Sequence, residues 1–524
     1  GVTVYNSSYL ECLSPYHDPA EVQLSLLENG QDYTNYDVHY RFLRREVVRN
    51  LSRDAGPANG VTKLTIYGFF YERLETALCY FDGVATVPTY VSNQVFICHV
   101  PSAAAGIKLV QISLNGQDKS LEPIYFWQYE TPTLTALNQT RGPSQGGTRV
   151  LVSGTNFPVT YLGVECMFGT NVTTGTRWND TAALCESPSG MGRVKVKLSF
   201  NEQDFTASGL VYTFYRTPEV YNVTTALGDQ NGRTIVTVDG AYFDAPFANT
   251  TTCNFGSQWA ASRTRVNSTR LLCESPWILS APQRVNLDVT MNLQDFTADG
   301  REFWYHPVVN VSYMYPWHGP KQGDSLVRLQ LNASFSAYPW KDAGNWVRCK
   351  FGTTVVAGRF LEDDVVECEV PEASSAGAVS VEVSVNAQQY STDNRQYRYD
   401  EPVSITGIDV ATGPSDQGRT VMTLSGTNFV TGIAPQCVFS GAGFQRADFY
   451  VPATIDNSTH LVCVAPPRTF GPSNVYVTLN GQDLSASDII FTYREEPHVL
   501  KIYPNHGPAA GATVVTLDGT DFVP

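Results

Sequence analysis

The chain has 524 residues, with 41 glycines, 30 prolines and 11 cysteines, a formal net charge of −15 and a pI near 5.0. An acidic balance of this size excludes a phosphate-backbone partner and describes a soluble, self-repelling surface, so no nucleic-acid partner is expected. No apolar run of eighteen residues occurs, and this segment shows no direct membrane insertion.

In chain order, residues 1–46 read as the back half of a unit. They hold Cys12 followed by Pro15, a strand from Val22 to Leu26, the turn Asn29-Gly30-Gln31-Asp32, and Tyr40. Five full units follow, at 47–132, 133–218, 219–307, 308–402 and 403–497, and residues 498–524 form a front half. Each full unit opens on a Gly-Pro or Gly-rich turn (Gly56-Pro57, Gly142-Pro143, Gly228 to Gly232, Gly319-Pro320, Gly413-Pro414). Self-similarity at about 85 to 95 residues decides the architecture before any single motif does.

Within a unit the apolar residues alternate with period two, as in Val285-Asn-Leu-Asp-Val-Thr-Met291 and Val379-Ser-Val-Glu-Val-Ser-Val385, which reads as strands with one buried face. Asn-Gly at 29–30, 115–116 and 480–481 marks tight hairpins. About seven short strands per unit predict an all-β, two-sheet sandwich. An aromatic cluster and a proline close each unit and the next strand begins at once, so a semi-rigid rod is expected.

Gly142-Pro-Ser-Gln-Gly-Gly-Thr148, Gly154-Thr-Asn-Phe157, Cys166-Met-Phe-Gly169, Cys185-Glu-Ser-Pro188 and the closing Phe214-Tyr215 resemble the IPT/TIG immunoglobulin-like repeat. That family is known from plexin and related receptor ectodomains, from fibrocystin-like proteins and from surface proteins of algae and other protists. The resemblance implies tandem immunoglobulin-like β-sandwiches in an architectural role and fixes no partner. Unit four departs most, with Leu331-Asn-Ala-Ser334 and Asn386-Ala-Gln-Gln389 in place of Gly-Thr-Asn-Phe and Asn-Gly-Gln-Asp.

Ten cysteines recur in register, and their spacing predicts five disulfides inside single units. The pairs are Cys79/Cys98, Cys166/Cys185, Cys253/Cys273, Cys349/Cys368 and Cys437/Cys463, with Cys12 unpaired in this chain. Such usage belongs to an oxidising compartment. Sequons stand at Asn6, Asn50, Asn138, Asn171, Asn179, Asn222, Asn249, Asn267, Asn310, Asn332 and Asn457. Asn6, Asn179, Asn267 and Asn457 each lie six residues before the second cysteine of a unit, a surface position kept through tandem copies. N-linked glycans are expected, no cofactor is, and the chain reads as extracellular or cell-surface.

Candidate chemistry is sparse. The eight histidines never pair at i, i+2 or i+4, and they read as turn or surface residues, not as ligands. Gly142-Pro-Ser144-Gln-Gly146 matches the nucleophile-elbow string, but the other units place Ala58, Gln230, Lys321 or Ala509 where Ser144 stands. Asp363/Asp364 read as a solvated loop, and Asn-Gly-Gln-Asp reads as turn chemistry, with calcium binding as the alternative. Neither a catalytic nor a metal residue is assigned, and no enzyme activity is expected. Arg41, Arg44, Arg45, Arg49 and Arg53 form a basic cluster, read as a solvated face with interdomain bridges; a docking patch for an acidic surface such as Glu362 to Glu367 is the sharper reading.

The expected function is that of an extracellular structural glycoprotein building a fibre, flagellar hair or cell-surface appendage. The alternative is an adhesion or receptor ectodomain stalk, plexin-like or mating-adhesin-like. Partners are expected among other copies of the chain or other surface glycoproteins. The two half units are read as one split module, belonging to a longer tandem chain or completed head-to-tail by a second copy.

Overall fold

The structure is a computed structural model that describes residues 1–524 apart from 28, 61, 72–73, 244–249, 261, 337, 339–345, 432–433, 442–447 and 523–524. Every regular element among the described residues is a β-strand. Two compact units are distinguished: residues 1–219 with 241–251 and 289–297, and residues 220–240 with 252–288 and 298–524.

In the first unit, residues 133–218 show how the repeat folds. The strands run in the order Thr133–Leu137, Arg149–Thr155, Ala182–Glu186, Asn171–Arg177, Val164–Phe168, Gly192–Ser199, Val211–Tyr215, Arg141–Pro143. The alternating pattern places Val150, Val152, Cys166, Phe168, Ala183, Cys185, Val196, Leu198 and Tyr212 in one buried core. Each large apolar side chain there stabilises by about 1.5 to 3 kcal/mol relative to exposure. In the second unit, residues 308–402 and 403–497 repeat the same eight-strand order. The divergent residues of unit four therefore leave its topology intact.

The opening Gly-Pro element, read from sequence as a turn, also forms a short strand. Arg141–Pro143 lies parallel to Thr213–Tyr215, and Thr412–Pro414 lies parallel to Thr492–Arg494. The edge position tolerates proline because no further strand needs its missing N–H. Repeats two, four and five thus show eight strands among the described residues rather than seven. The Asn-Gly segments differ from expectation as well. Gly30, Gly116 and Gly481 do take positive φ (82°, 74° and 79°), and Glu202, Leu293 and Ala387 take about 60° at the same place. The segment is nevertheless a longer loop, since the strand ending at Ser113 is followed by one that starts only at Ile124.

Gly-Thr-Asn-Phe has a steric cause. A Cβ on Gly154 would stand 2.0 Å from the Thr133 carbonyl oxygen and 2.6 Å from the Phe157 ring, which is buried against the sheet. Asn156 then turns the chain with φ 59°, a conformation asparagine tolerates better than most residues.

The structure joins the ten register cysteines as Cys79–Cys98, Cys166–Cys185, Cys253–Cys273, Cys349–Cys368 and Cys437–Cys463, and Cys12 is a free, exposed thiol. The bridged strands are not hydrogen-bonded to each other; Asn171–Arg177 runs between the strands of Cys166 and Cys185. The sulfurs pass over that middle strand, and a Cβ on Gly175 would meet Cys166 Sγ at 2.5 Å. Replacing Cys166 and Cys185 together by alanine should lower the stability of this repeat by about 3 kcal/mol, read as an earlier calorimetric transition with the other transitions unmoved.

Candidate functional site

The Asn-x-Gln-Asp loops do more than turn the chain. The Asn201 carboxamide oxygen accepts the main-chain N–H groups of Gln203 (3.2 Å) and Asp204 (2.9 Å), closing the loop on itself. Its Nδ2 donates to Asp204 Oδ2 (2.7 Å) and to the carbonyl of Ala55 in the preceding repeat (3.3 Å). Asp204 Oδ2 in turn accepts the hydroxyl of Thr62, at 2.6 Å. The loop of repeat two is therefore a latch on repeat one.

The same latch recurs three times. Asn292 donates to the Arg141 carbonyl and Asp295 accepts from Thr148 at 2.6 Å. Asn386 donates to the Leu227 carbonyl and Gln389 accepts from Thr234 at 2.9 Å. Asn480 donates to the His318 carbonyl and Asp483 accepts from Ser325 at 2.5 Å. Thr62, Thr148, Thr234, Ser325 and the four asparagines are buried. The Asn-Ala-Gln-Gln variant of repeat four retains the joint because Gln389 Oε1 supplies the acceptor that Asp supplies elsewhere.

The third loop residue sets the register. Gln388 accepts from Ile235 N–H and donates to Ile235 C=O, both at 2.8 Å; Gln482 does the same to Leu326 at 2.9 and 2.8 Å. A side-chain amide thus extends the edge of the preceding repeat as one more strand residue would. The threonine or serine that receives the fourth residue closes the opening Gly-Pro motif, so both halves of the joint come from segments that sequence reading assigned to turns.

The joint between repeats four and five carries an addition that sequence reading missed. His318 Nδ1 lies 2.6 Å from Asp400 Oδ2, and Arg398 donates to both Asp400 oxygens and to the Thr431 carbonyl. Burial pushes the Asp400 carboxyl up, but the His318 and Arg398 hydrogen bonds and charges outweigh it and hold its pKa below the usual value. A cavity of about 360 Å³ opens beside this cluster, with Asn480 and Asp483 in its wall. Arg398 also lies over the Trp317 ring, at 4.8 Å. The available signal was Trp317-His318, where other repeats have Ala55, Arg141 or Leu227.

The remaining candidate residues disperse. Asn6, Asn179, Asn267 and Asn457 share one exposed geometry, the carboxamide oxygen accepting both N–H and hydroxyl of the sequon Ser or Thr. Asn50, Asn138, Asn171, Asn222 and Asn332 are exposed, Asn310 is half-buried, and Asn249 lies outside the described residues. Arg53 donates to the Asn201 carbonyl in the first joint, Arg49 stacks on Phe69, and Arg45 donates to the Lys119 carbonyl. Glu367, on the acidic surface matched with that cluster, is buried and bonded to Arg328 and Arg359 of its own repeat. Ser144 sits in the opening turn, its N–H bonded to the Tyr215 carbonyl; Asp363 and Asp364 use their carbonyls to fix Phe335 and Leu331. Among the described residues no group of three or more His, Cys, Asp or Glu is arranged to hold a metal ion, and no helix is long and apolar enough to cross a membrane.

The sequence profile of the IPT/TIG domain matches residues 47–126, 132–214, 218–305 and 402–493, more than half of the chain. The protein is a tandem array of immunoglobulin-like β-sandwiches, and it belongs to the IPT/TIG domain family. Among curated proteins it is 28% identical over 252 residues to plexin-A3 of Rattus norvegicus, covering 44% of this chain and 13% of that protein. It is 26% identical over 296 residues to human fibrocystin-L, covering 56% of this chain and 7% of that protein. Among solved structures, the plexin A4 full extracellular region aligns over 91% of this chain and 52% of its own, at a TM-score of 0.33 and 14% identity.

Two predictions follow from the joints and from His306. Thr62→Val should destabilise the first joint by about 1.5 kcal/mol and Asp204→Ala by more, since it also removes the bond from Asn201, and the double variant should cost little more than Asp204→Ala alone, because the Thr62–Asp204 bond is shared. Chemical denaturation of the four variants reads the coupling. His306 is buried, with Nδ1 2.7 Å from the Pro307 carbonyl and no hydrogen-bond partner for Nε2. Burial holds its pKa below the ordinary 6.5, against the opposing pull of Asp229. Its contribution to stability is therefore complete above pH 6.5 and is lost as pH falls below that value, where the unfolded chain takes the proton. Protection factors of the amides along Glu302–His306, taken against the unfolded chain at the same pH, should fall on acidification to pH ~5.5, and His306→Phe should flatten that response.

Proposed function

We propose that this chain is the stalk of an extracellular receptor or adhesion ectodomain. The observation that carries the reading is the match to plexin-A3 and fibrocystin-L along several consecutive TIG repeats rather than one. The repeated joint supports it, since a stalk must hold successive domains in a fixed relation. Five disulfides in register agree with an oxidising, extracellular setting. The fibre or appendage expected from sequence alone draws no support from these relatives, and the stalk takes its place. Asn6, Asn179, Asn267 and Asn457 carry N-linked glycans in this reading, at exposed positions where a strand gives way to a turn.

Antibodies against residues 133–218 should stain unpermeabilised cells expressing the native gene, and peptide N-glycosidase should shift the stained product to lower mass. Staining that appears only after permeabilisation, with no glycosidase shift, would overturn the assignment.

A further inference from the structure

Repeat four departs from the common pattern where it meets repeat three. Phe335 takes the place that Phe157 holds in repeat two: its N–H donates to the Asp363 carbonyl at 2.6 Å, as that of Phe157 does to the Asp180 carbonyl at 2.8 Å. Both rings are buried. Beyond them the two repeats differ. Tyr161, shortly after Phe157, is exposed, whereas Tyr338, shortly after Phe335, is buried and reaches the last strand of repeat three. Its hydroxyl donates to the Tyr305 carbonyl at 3.0 Å, and its ring meets that of Trp304 edge-on, with centroids 5.6 Å apart. Leu227 and Trp304 of repeat three pack with Phe335 and Tyr338 in the core of repeat four.

His306 lies inside this contact. Its ring centroid is 5.8 Å from that of Phe335, and its main chain pairs with Asp229 in the parallel strand Leu227–Asp229. Nδ1 faces the Pro307 carbonyl at 2.7 Å and so carries the hydrogen, which leaves Nε2 as a buried acceptor without a partner. A second N–H and a positive charge at that place cost far more than the bare acceptor does. The surrounding groups do not offset this. Among the described residues Asp229 acts on the ring and pulls toward the charged form, but burial outweighs it and holds the pKa below 6.5. Asp229 Oδ1 already accepts the Asn231 N–H, at 2.7 Å. Glu302, on the same strand as His306, pairs with Arg284 at 3.0 Å. On the repeat-four side Asp363 holds Phe335 through its carbonyl, and burial keeps the Tyr338 hydroxyl, like that of Tyr305, above its ordinary pKa and neutral.

We propose that Phe335 and Tyr338 form a clasp on repeat three that protonation of His306 releases, so that this joint is fixed at neutral pH and becomes a hinge in acid. An imidazolium donates from both nitrogens and needs an acceptor for each. Nε2 finds one by leaving the Phe335 face, and the Tyr338–Tyr305 bond is lost with that contact. The latch of the same joint, from Asn386 to the Leu227 carbonyl and from Thr234 to Gln389, contains no group that titrates in this range, so the two repeats stay attached as the clasp opens. The inference goes beyond the stalk reading and does not depend on it.

Hydroxyl-radical footprinting of the full chain, normalised to free tyrosine at each pH, tests the clasp. Tyr338 is the reporter, and the buried Tyr212 and Tyr397 are the controls. From pH ~7.5 to pH ~5.5 the labelling of Tyr338 should rise by as much as about tenfold, because His306 in the open joint titrates near its ordinary value. The controls should stay constant. His306→Phe should abolish the rise, and His306→Gln, which also lacks a titrating ring, replaces it if that variant fails to fold. Equal labelling of Tyr338 at both pH values, or a rise that persists without the imidazole, overturns the proposal. So does a parallel rise at Tyr212 and Tyr397, which is acid unfolding of whole repeats.

Discussion

A carboxylate or carboxamide taken out of water must find donors and acceptors or cost several kcal/mol, and this requirement holds successive repeats together. Each latch loop buries an asparagine and part of an aspartate or glutamine, and its own turn cannot satisfy them. The turn uses the asparagine oxygen twice; the remaining Nδ2 hydrogen and the free valence of the fourth residue are met only by the preceding repeat. The hydroxyl that receives it, on Thr62, Thr148, Thr234 or Ser325, is equally buried and equally dependent. Docking is thus specified by mutual satisfaction of polar groups beside an apolar seam, in which Ala55 and Tyr129 pack on the core of repeat two and Leu227 on that of repeat four.

Rigidity inside a repeat has a different source. The disulfide crosses a middle strand and ties the strands on either side of it, while Phe157 and its equivalents Phe70 and Phe429 plug the end of the core. Apolar burial and covalent closure stabilise the repeat, and directional hydrogen bonds orient the array. The two can vary separately. Repeat four loses the Gly-Thr-Asn-Phe turn and the Asp of the latch, yet retains its sheet order and its joint, since Gln389 offers an oxygen where Asp483 does elsewhere.

His318 shows how one repeat can elaborate the common joint. Its backbone carbonyl performs the shared task of receiving an asparagine, and its side chain bonds to Asp400, which Arg398 engages in an ion pair. A half-buried carboxylate bonded to a guanidinium and an imidazole is tolerable where a lone one would not be. His306 is the opposite case, a buried imidazole whose environment favours the neutral form.

The all-β class, the repeat period, the cysteine register, the sequons and the positive-φ loop positions could all be read from the sequence, because each rests on local chemistry or on recurrence along the chain. Alternation of Val, Leu and Phe needs no partner to announce a half-buried strand, and cysteines repeated at one spacing announce their bridge. The role of the Asn-x-Gln-Asp loop was decided only in three dimensions. Asp204 and Thr62 lie 142 residues apart and Asp483 and Ser325 lie 158 apart, a separation at which no spacing rule operates. Locally the loop explains itself as a turn, so nothing in its own residues shows that half of its hydrogen-bonding capacity is reserved for another repeat. The Gly-Pro strand was hidden for the same reason: three residues carry no periodicity, and only the final strand of the repeat, lying parallel beside them, makes them part of a sheet.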